Sequence, residues 1–81
     1  MMELHPVGVS GVLAVLGDAI SEETGARVAA LSAAVRDAHI PGVTEMIPAY
    51  ASLLIKYDPF LTDYALLSDR VRVLEKSLAS A

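Results

Sequence analysis

The chain contains no cysteine. Disulfide bridges, thiolate nucleophiles and Cys-based zinc sites are therefore excluded. It is also poor in positive charge, with six Lys and Arg against ten Asp and Glu, for a formal net charge of −4. The six basic residues are scattered and form no stripe, which argues against nucleic acid, since phosphate neutralisation needs clustered cations. Long hydrophobic runs are missing too. Val12–Leu16 is uniformly apolar but far too short to span a bilayer. It has no basic segment before it, Glu3 lies upstream, and Gly17-Asp18 follows in place of a small-residue cleavage site. It reads as a buried strand of a cytoplasmic protein, with no membrane partner expected.

What is present is apolar. Hydrophobic residues make up 54% of the 81 positions and the mean hydropathy is +0.52, high for a chain of this length. That length allows one small domain, residues 1–81, with a limited core.

The pattern gives the order β-β-α-β-β-α. Leu4–Val7 and Val12–Leu16 flank Gly8-Val9-Ser10-Gly11 and read as a short hairpin, with Pro6 placing the first strand at a sheet edge. Ser21 is a good N-cap, and Glu22 and Glu23 suit the positive end of a helix. Thr24, Val28, Leu31, Val35 and Ala38 then form one apolar stripe at helical period, with Arg27, Arg36 and Asp37 off it; Pro41-Gly42 stops the helix. Val43–Ile47 and Ser52–Tyr57 are β-type runs separated by Pro48-Ala49-Tyr50 and closed by Asp58-Pro59. A second helix is predicted with Thr62 as cap and Asp63 in its first turn. Its apolar stripe is Tyr64, Leu67, Val71, Leu74 and Leu78, and only Ser77–Ala81 looks prone to fray. The expected fold class is α+β: a two-layer sandwich, a mostly antiparallel four-stranded sheet with two helices on one face.

Two helices cover only one face, so the other face should alternate with polar residues. Val12–Leu16 does not alternate, and Leu54 stands between Ser52 and Lys56 on the face opposite Leu53, Ile55 and Tyr57. Met46 is placed beside Thr44 in the same way. Met46 and Leu54 are therefore the expected interface residues of a partly apolar contact face, open to a partner or to a second copy of the chain.

Pro41-Gly42-Val43-x-Glu45…Pro48-Ala49-Tyr50…Ser52-Leu53…Tyr57-Asp58-Pro59 resembles the motif of an amino-terminal domain found in the two-domain subunit of 5-oxoprolinase and its relatives. That family includes allophanate hydrolase subunit 1 and the Kip-type inhibitors of sporulation histidine kinases. The resemblance covers nearly all of this chain but about the first third of a typical member. The family's larger cyclophilin-like carboxyl-terminal domain is accordingly expected to be absent here. The resemblance implies a non-catalytic interaction domain whose partner is the family's separate second subunit. The full complex would couple ATP hydrolysis to opening of the 5-oxoproline lactam. The alternatives it implies are inhibition of a histidine kinase, or the allophanate hydrolase or urea carboxylase branch. Two positions depart from the pattern: Val9, where members carry an acidic residue after the loop glycine, and Ala51, where they often carry Arg.

Candidate chemistry is sparse. By the motif, Glu45, Tyr50 and Asp58 are the binding candidates. A buried Glu45 could do acid–base work, whereas an exposed one would pair with Lys56 across the hairpin. Asp58 before Pro59 is suited to capping a turn through its own side chain. Tyr50 and Tyr57 could be binding aromatics or amphipathic sheet residues. The two histidines, His5 and His39, have no ligand spacing, so no metal is expected; His39 is placed to satisfy the last carbonyls of the first helix. No serine lies in a Gly-x-Ser-x-Gly elbow, and Gly8-Val9-Ser10-Gly11 lacks the lysine and helix of a phosphate loop. No catalytic residue and no cofactor is expected.

Overall fold

The computed structural model describes residues 2–17 and 21–80. Strands β1 (Glu3–Val7) and β2 (Gly11–Val15) form the first hairpin, and helix α1 (Glu22–Asp37) follows. Strands β3 (Val43–Pro48) and β4 (Ser52–Tyr57) form the second hairpin, and helix α2 (Tyr64–Ser80) follows. The four strands make one open sheet in the order β1-β2-β4-β3, with every neighbouring pair antiparallel. The expected element order and α+β class hold, and Pro6 does lie on an edge strand.

α1 begins as its cap residue dictates. Ser21 is extended (φ −152°, ψ 160°) and its Oγ accepts from the Thr24 N–H at 3.1 Å. The helix ends before Pro41: the Ala38 N–H donates to Ala34 O, the His39 N–H donates to Arg36 O at 3.2 Å, and His39 takes a left-handed φ of 49°. The backbone of His39, and not its ring, thus meets a terminal carbonyl. At α2 the expected cap is corrected by one residue. Asp63 Oδ1 accepts from the Leu66 N–H at 2.9 Å, three residues on, so Asp63 is the cap and Thr62 lies outside the helix.

The core lies between the helices and one face of the sheet. Val28, Leu31 and Val35 of α1 and Leu67 and Val71 of α2 are buried against Leu4, Val12, Ala14, Leu53, Ile55 and Tyr57. These strand residues alternate along their strands and face one another in register (Leu4–Ala14–Leu53, Val12–Ile55), so they occupy a single face. The ends of the stripes are looser. Tyr64 and Leu74 pack on the core only in part, and Leu78 is exposed rather than buried. Arg27, expected on the wet face, is half-buried: its Nη1 donates to Leu16 O at 2.9 Å and its Nη2 lies 3.9 Å from Glu75 Oε2. It ties α1 to the exit of β2 and to α2.

Candidate functional site

The face of the sheet away from the core is set by register. Across β1, β2, β4 and β3 the middle row reads His5, Leu13, Leu54, Ile47. On one side of it lie Glu3, Val15 and Ser52; on the other lie Val7, Gly11, Lys56 and Glu45. Leu13, Val15 and Leu54 are half-buried, and Val7 and Ile47 are each 43% exposed. These five side chains form one apolar strip, bordered by Glu3 and His5 on β1 and by Lys56 and Glu45 in the row of Val7. His5 Nε2 lies 3.3 Å from Glu3 Oε1, and Lys56 Nζ lies 3.9 Å from Glu45 Oε1.

Leu54 stands on this open face as expected. Met46 does not, and the reason is a β-bulge. The register shifts between Val43 and Glu45: Val43 opposes Tyr57 and Glu45 opposes Lys56, leaving Thr44 as the extra residue. One added residue inverts the alternation beyond it. Met46 therefore faces Ile55 and packs on the core, while Ile47 takes the open-face position beside Leu54.

The three motif candidates do not converge. Glu45 is exposed and paired with Lys56, which fits the pairing reading and not that of a buried acid. Asp58 is a turn former: its Oδ1 accepts from the Phe60 N–H at 2.9 Å, and its carbonyl accepts from the N–H groups of Leu61 and Thr62. Tyr50 is 74% exposed at the β3–β4 turn, at the opposite end of the hairpin. It lines an open hollow of about 600 Å³ with Ser21, Gly25, Pro48 and Ala49. A second hollow of about 580 Å³ lies between α1 and α2 around Arg27 and Glu75, and a smaller one of about 330 Å³ runs beside β3 past Arg36 and His39. None of these holds a nucleophile–base pair. Among the described residues no three of His, Asp and Glu are grouped so as to hold a metal ion, and no helix is long and apolar enough to cross a membrane.

The sequence pattern missed two features of the surface. Ile47 was hidden by the bulge, which alternation alone does not reveal. Phe60, the single phenylalanine, is 95% exposed beside Leu61 at 67%, in the loop that Asp58 organises. Its place directly after Asp-Pro was the available signal, because a turn there lifts the next residue off the sheet.

Known proteins share this geometry. The family model described as carboxyltransferase domain, subdomain C and D, matches residues 2–81. The chain is similar to a conserved uncharacterized protein of Pyrococcus horikoshii, with 32% identity and a TM-score of 0.90 over 96% of this chain and 36% of the archaeal one. It is also similar in fold to the urea carboxylase of Kluyveromyces lactis, at 19% identity and a TM-score of 0.89, over 94% of this chain and 7% of that enzyme. The urea amidolyase of the same yeast gives the same identity and TM-score, with 5% of its length covered. The chain thus spans about a third of the archaeal protein and a small part of each yeast enzyme. No curated protein matches it.

Proposed function

Because this chain belongs to the carboxyltransferase domain family, subdomain C and D, we propose that it is a non-catalytic interaction domain of a protein like the two-domain subunit of 5-oxoprolinase. In this reading it contributes architecture and subunit contacts to a complex that opens 5-oxoproline with hydrolysis of ATP. The carrying observation is the apolar strip Val7, Leu13, Val15, Leu54 and Ile47 on the sheet face away from helices α1 and α2. Contiguous exposed apolar surface of that kind marks a contact site. The separation of Glu45, Tyr50 and Asp58 supports the non-catalytic part, since acid–base or nucleophilic work needs groups that converge on one reacting atom.

The partner in this reading is the family's separate second subunit. The test is reconstitution. Alone, the chain should not release glutamate from 5-oxoproline and ATP; purified with its second subunit from its own cells, the complex should do so. Turnover by the isolated chain above a Glu45→Ala control would sink the non-catalytic assignment. Two other results would redirect it within the family. Block of a histidine kinase's autophosphorylation by the chain alone would favour the Kip-type inhibitor. Activity of the complex on allophanate and none on 5-oxoproline would favour the branch of allophanate hydrolase subunit 1.

A further inference from the structure

We propose that Phe60 is an anchor: with Leu61 beside it, it docks the domain into an apolar pocket of a partner protein whose rim carries Lys or Arg. The inference rests on the reading of this chain as an interaction domain with a separate second subunit. It adds a contact element apart from the sheet face and states the chemistry of the pocket that receives it.

Among the described residues no large apolar side chain is more exposed than Phe60, at 95%. The fold draws no packing from this ring, so nearly all of its surface is open to burial by another molecule. An apolar side chain on a loose loop would lose much of that gain to the entropy of ordering. Here the loop is ordered before anything binds. Asp58 Oδ1 accepts from the Phe60 N–H at 2.9 Å, and the Asp58 carbonyl accepts from the N–H groups of Leu61 at 3.0 Å and Thr62 at 3.1 Å. Every backbone N–H from Phe60 to Thr62 is thus bonded within the turn, and the ring of Pro59 fixes the φ before it. A rigid aromatic tip of this kind is what an interface hot spot requires.

Charge selects the partner. The apolar pair is bracketed in the chain by Asp58 and Asp63, and both carboxylates are held by the backbone. Asp58 takes the Phe60 N–H and Asp63 takes the Leu66 N–H, each at 2.9 Å. Among the described residues neither carboxylate is ion-paired. A pocket that takes the ring brings these fixed negative charges to its rim, where cations match them and carboxylates are repelled. The same charges turn the tip away from two other apolar acceptors. The surface of an anionic bilayer repels them, and a second copy of the chain brings its own net charge of −4.

Size sets the role of the ring. A buried aromatic side chain covers about 150–250 Å², whereas a standard interface buries about 800 Å² per partner. Phe60 is therefore one strong point within a larger contact and not the whole of it.

The test is the affinity of the chain for its purified second subunit, measured by titration calorimetry. Phe60→Ala should raise the dissociation constant by about tenfold to a hundredfold, the scale of withdrawing a buried ring. Its urea midpoint should not move, because the ring lies outside the core. Asp63→Asn keeps the helix cap and removes the charge. It should raise the constant about twofold to fivefold, the scale of an exposed ion pair, and flatten its dependence on salt. Val73→Ala, at an exposed apolar position further along α2, should change nothing. Binding by Phe60→Ala as tight as the parent's overturns the anchor. If Leu54→Lys, still folded, weakens binding where Phe60→Ala does not, the sheet face makes the contact alone and only the anchor falls. Unchanged or tighter binding by Asp63→Asn overturns the cationic rim. If the parent chain does not bind the second subunit, the interaction reading falls and the anchor with it. Two further controls address the other acceptors: vesicles of phosphatidylcholine and phosphatidylserine, and sedimentation of the chain alone. Vesicle binding or self-association that disappears on Phe60→Ala would give the tip to a membrane or to a second copy and overturn the protein pocket.

Discussion

The backbone N–H of Asp58 donates to the carbonyl oxygen of Gly42 at 2.7 Å, joining the entry of β3 to the exit of β4. The Pro-Gly and Asp-Pro ends of the motif, far apart in sequence, thus form one junction. The Asp58 carboxylate holds the loop into α2, and Gly42 sits against that loop at a φ of +94°. A Cβ on Gly42 would stand 2.8 Å from Thr62 Cγ2 and 3.3 Å from Leu61 Cβ. At this junction the motif acts as a folding device.

Gly42→Ala should therefore cost about 1–3 kcal/mol, from the left-handed backbone and from the contact with Thr62. The closest contact can be separated from the rest. Thr62→Ser removes Cγ2, so the double variant should recover the share due to that closest contact and leave the backbone part together with the tight approaches to Thr62 Cβ at 3.2 Å and Leu61 Cβ at 3.3 Å. Urea unfolding of the four proteins measures both. A Gly42→Ala protein as stable as the parent would show that the junction tolerates a side chain.

Much of this architecture was legible because punctuation and period agreed. Proline and glycine bounded the second hairpin, Ser21 fixed the start of α1, and helical spacing located Leu31, Val35, Leu67 and Val71. Pro6 correctly implied an edge. Three features lay outside those signals. The bulge at Thr44 changes which face Met46 and Ile47 occupy without changing composition. Thr62 and Asp63 are both good capping residues, and only chain direction decides between them. Arg27 sits off the apolar stripe by period, yet its length lets the guanidinium reach Leu16 O. The candidate site was legible as a face and not as a set of residues. Leu54 was fixed by its polar neighbours, whereas Glu45, Tyr50 and Asp58 had a shared motif but no shared location.

The cap of α2 gives a direct comparison. Asp63→Ala should cost about 0.5–2 kcal/mol by freeing the Leu66 N–H, and Asp63→Asn much less, since an amide oxygen can accept the same bond. Thr62→Ala, outside the helix, should cost less than Asp63→Ala. Thermal or urea unfolding with far-ultraviolet circular dichroism would check the order. If Thr62→Ala cost more, the cap would lie one residue earlier.

Depth in the core should grade the cost of truncation. Leu31 and Leu67 are fully buried, 1% and 0% exposed, so each change to Ala should cost about 2–5 kcal/mol and bring a domain this small close to unfolding. Leu74 packs on the core only in part, so its truncation should cost visibly less. Equal losses at 67 and 74 would mean that α2 is rotated about its axis relative to the sheet.

Ser68 supplies the sharpest test of packing, because its sign runs against the usual effect of a core substitution. The residue lies in α2, is 6% exposed, and its Oγ makes no hydrogen bond. A buried hydroxyl without a partner carries its desolvation cost with nothing to offset it, about 1–3 kcal/mol for such groups. Ser68→Ala removes one atom, leaves at most a very small void, and gains about half a kcal/mol of helix propensity. The variant should therefore be as stable as the parent or more stable, by up to about 1–2 kcal/mol. Ser68→Val makes the contrast, since its branched side chain must find room that the hydroxyl does not need, and overpacking costs about 1–3 kcal/mol. Paired urea titrations would read the difference as a shift in midpoint at constant slope. A clear loss of stability in Ser68→Ala would show that the hydroxyl is bonded in solution, to a helix carbonyl or to a trapped water, and that this part of the α2 interface is less dry than its packing implies.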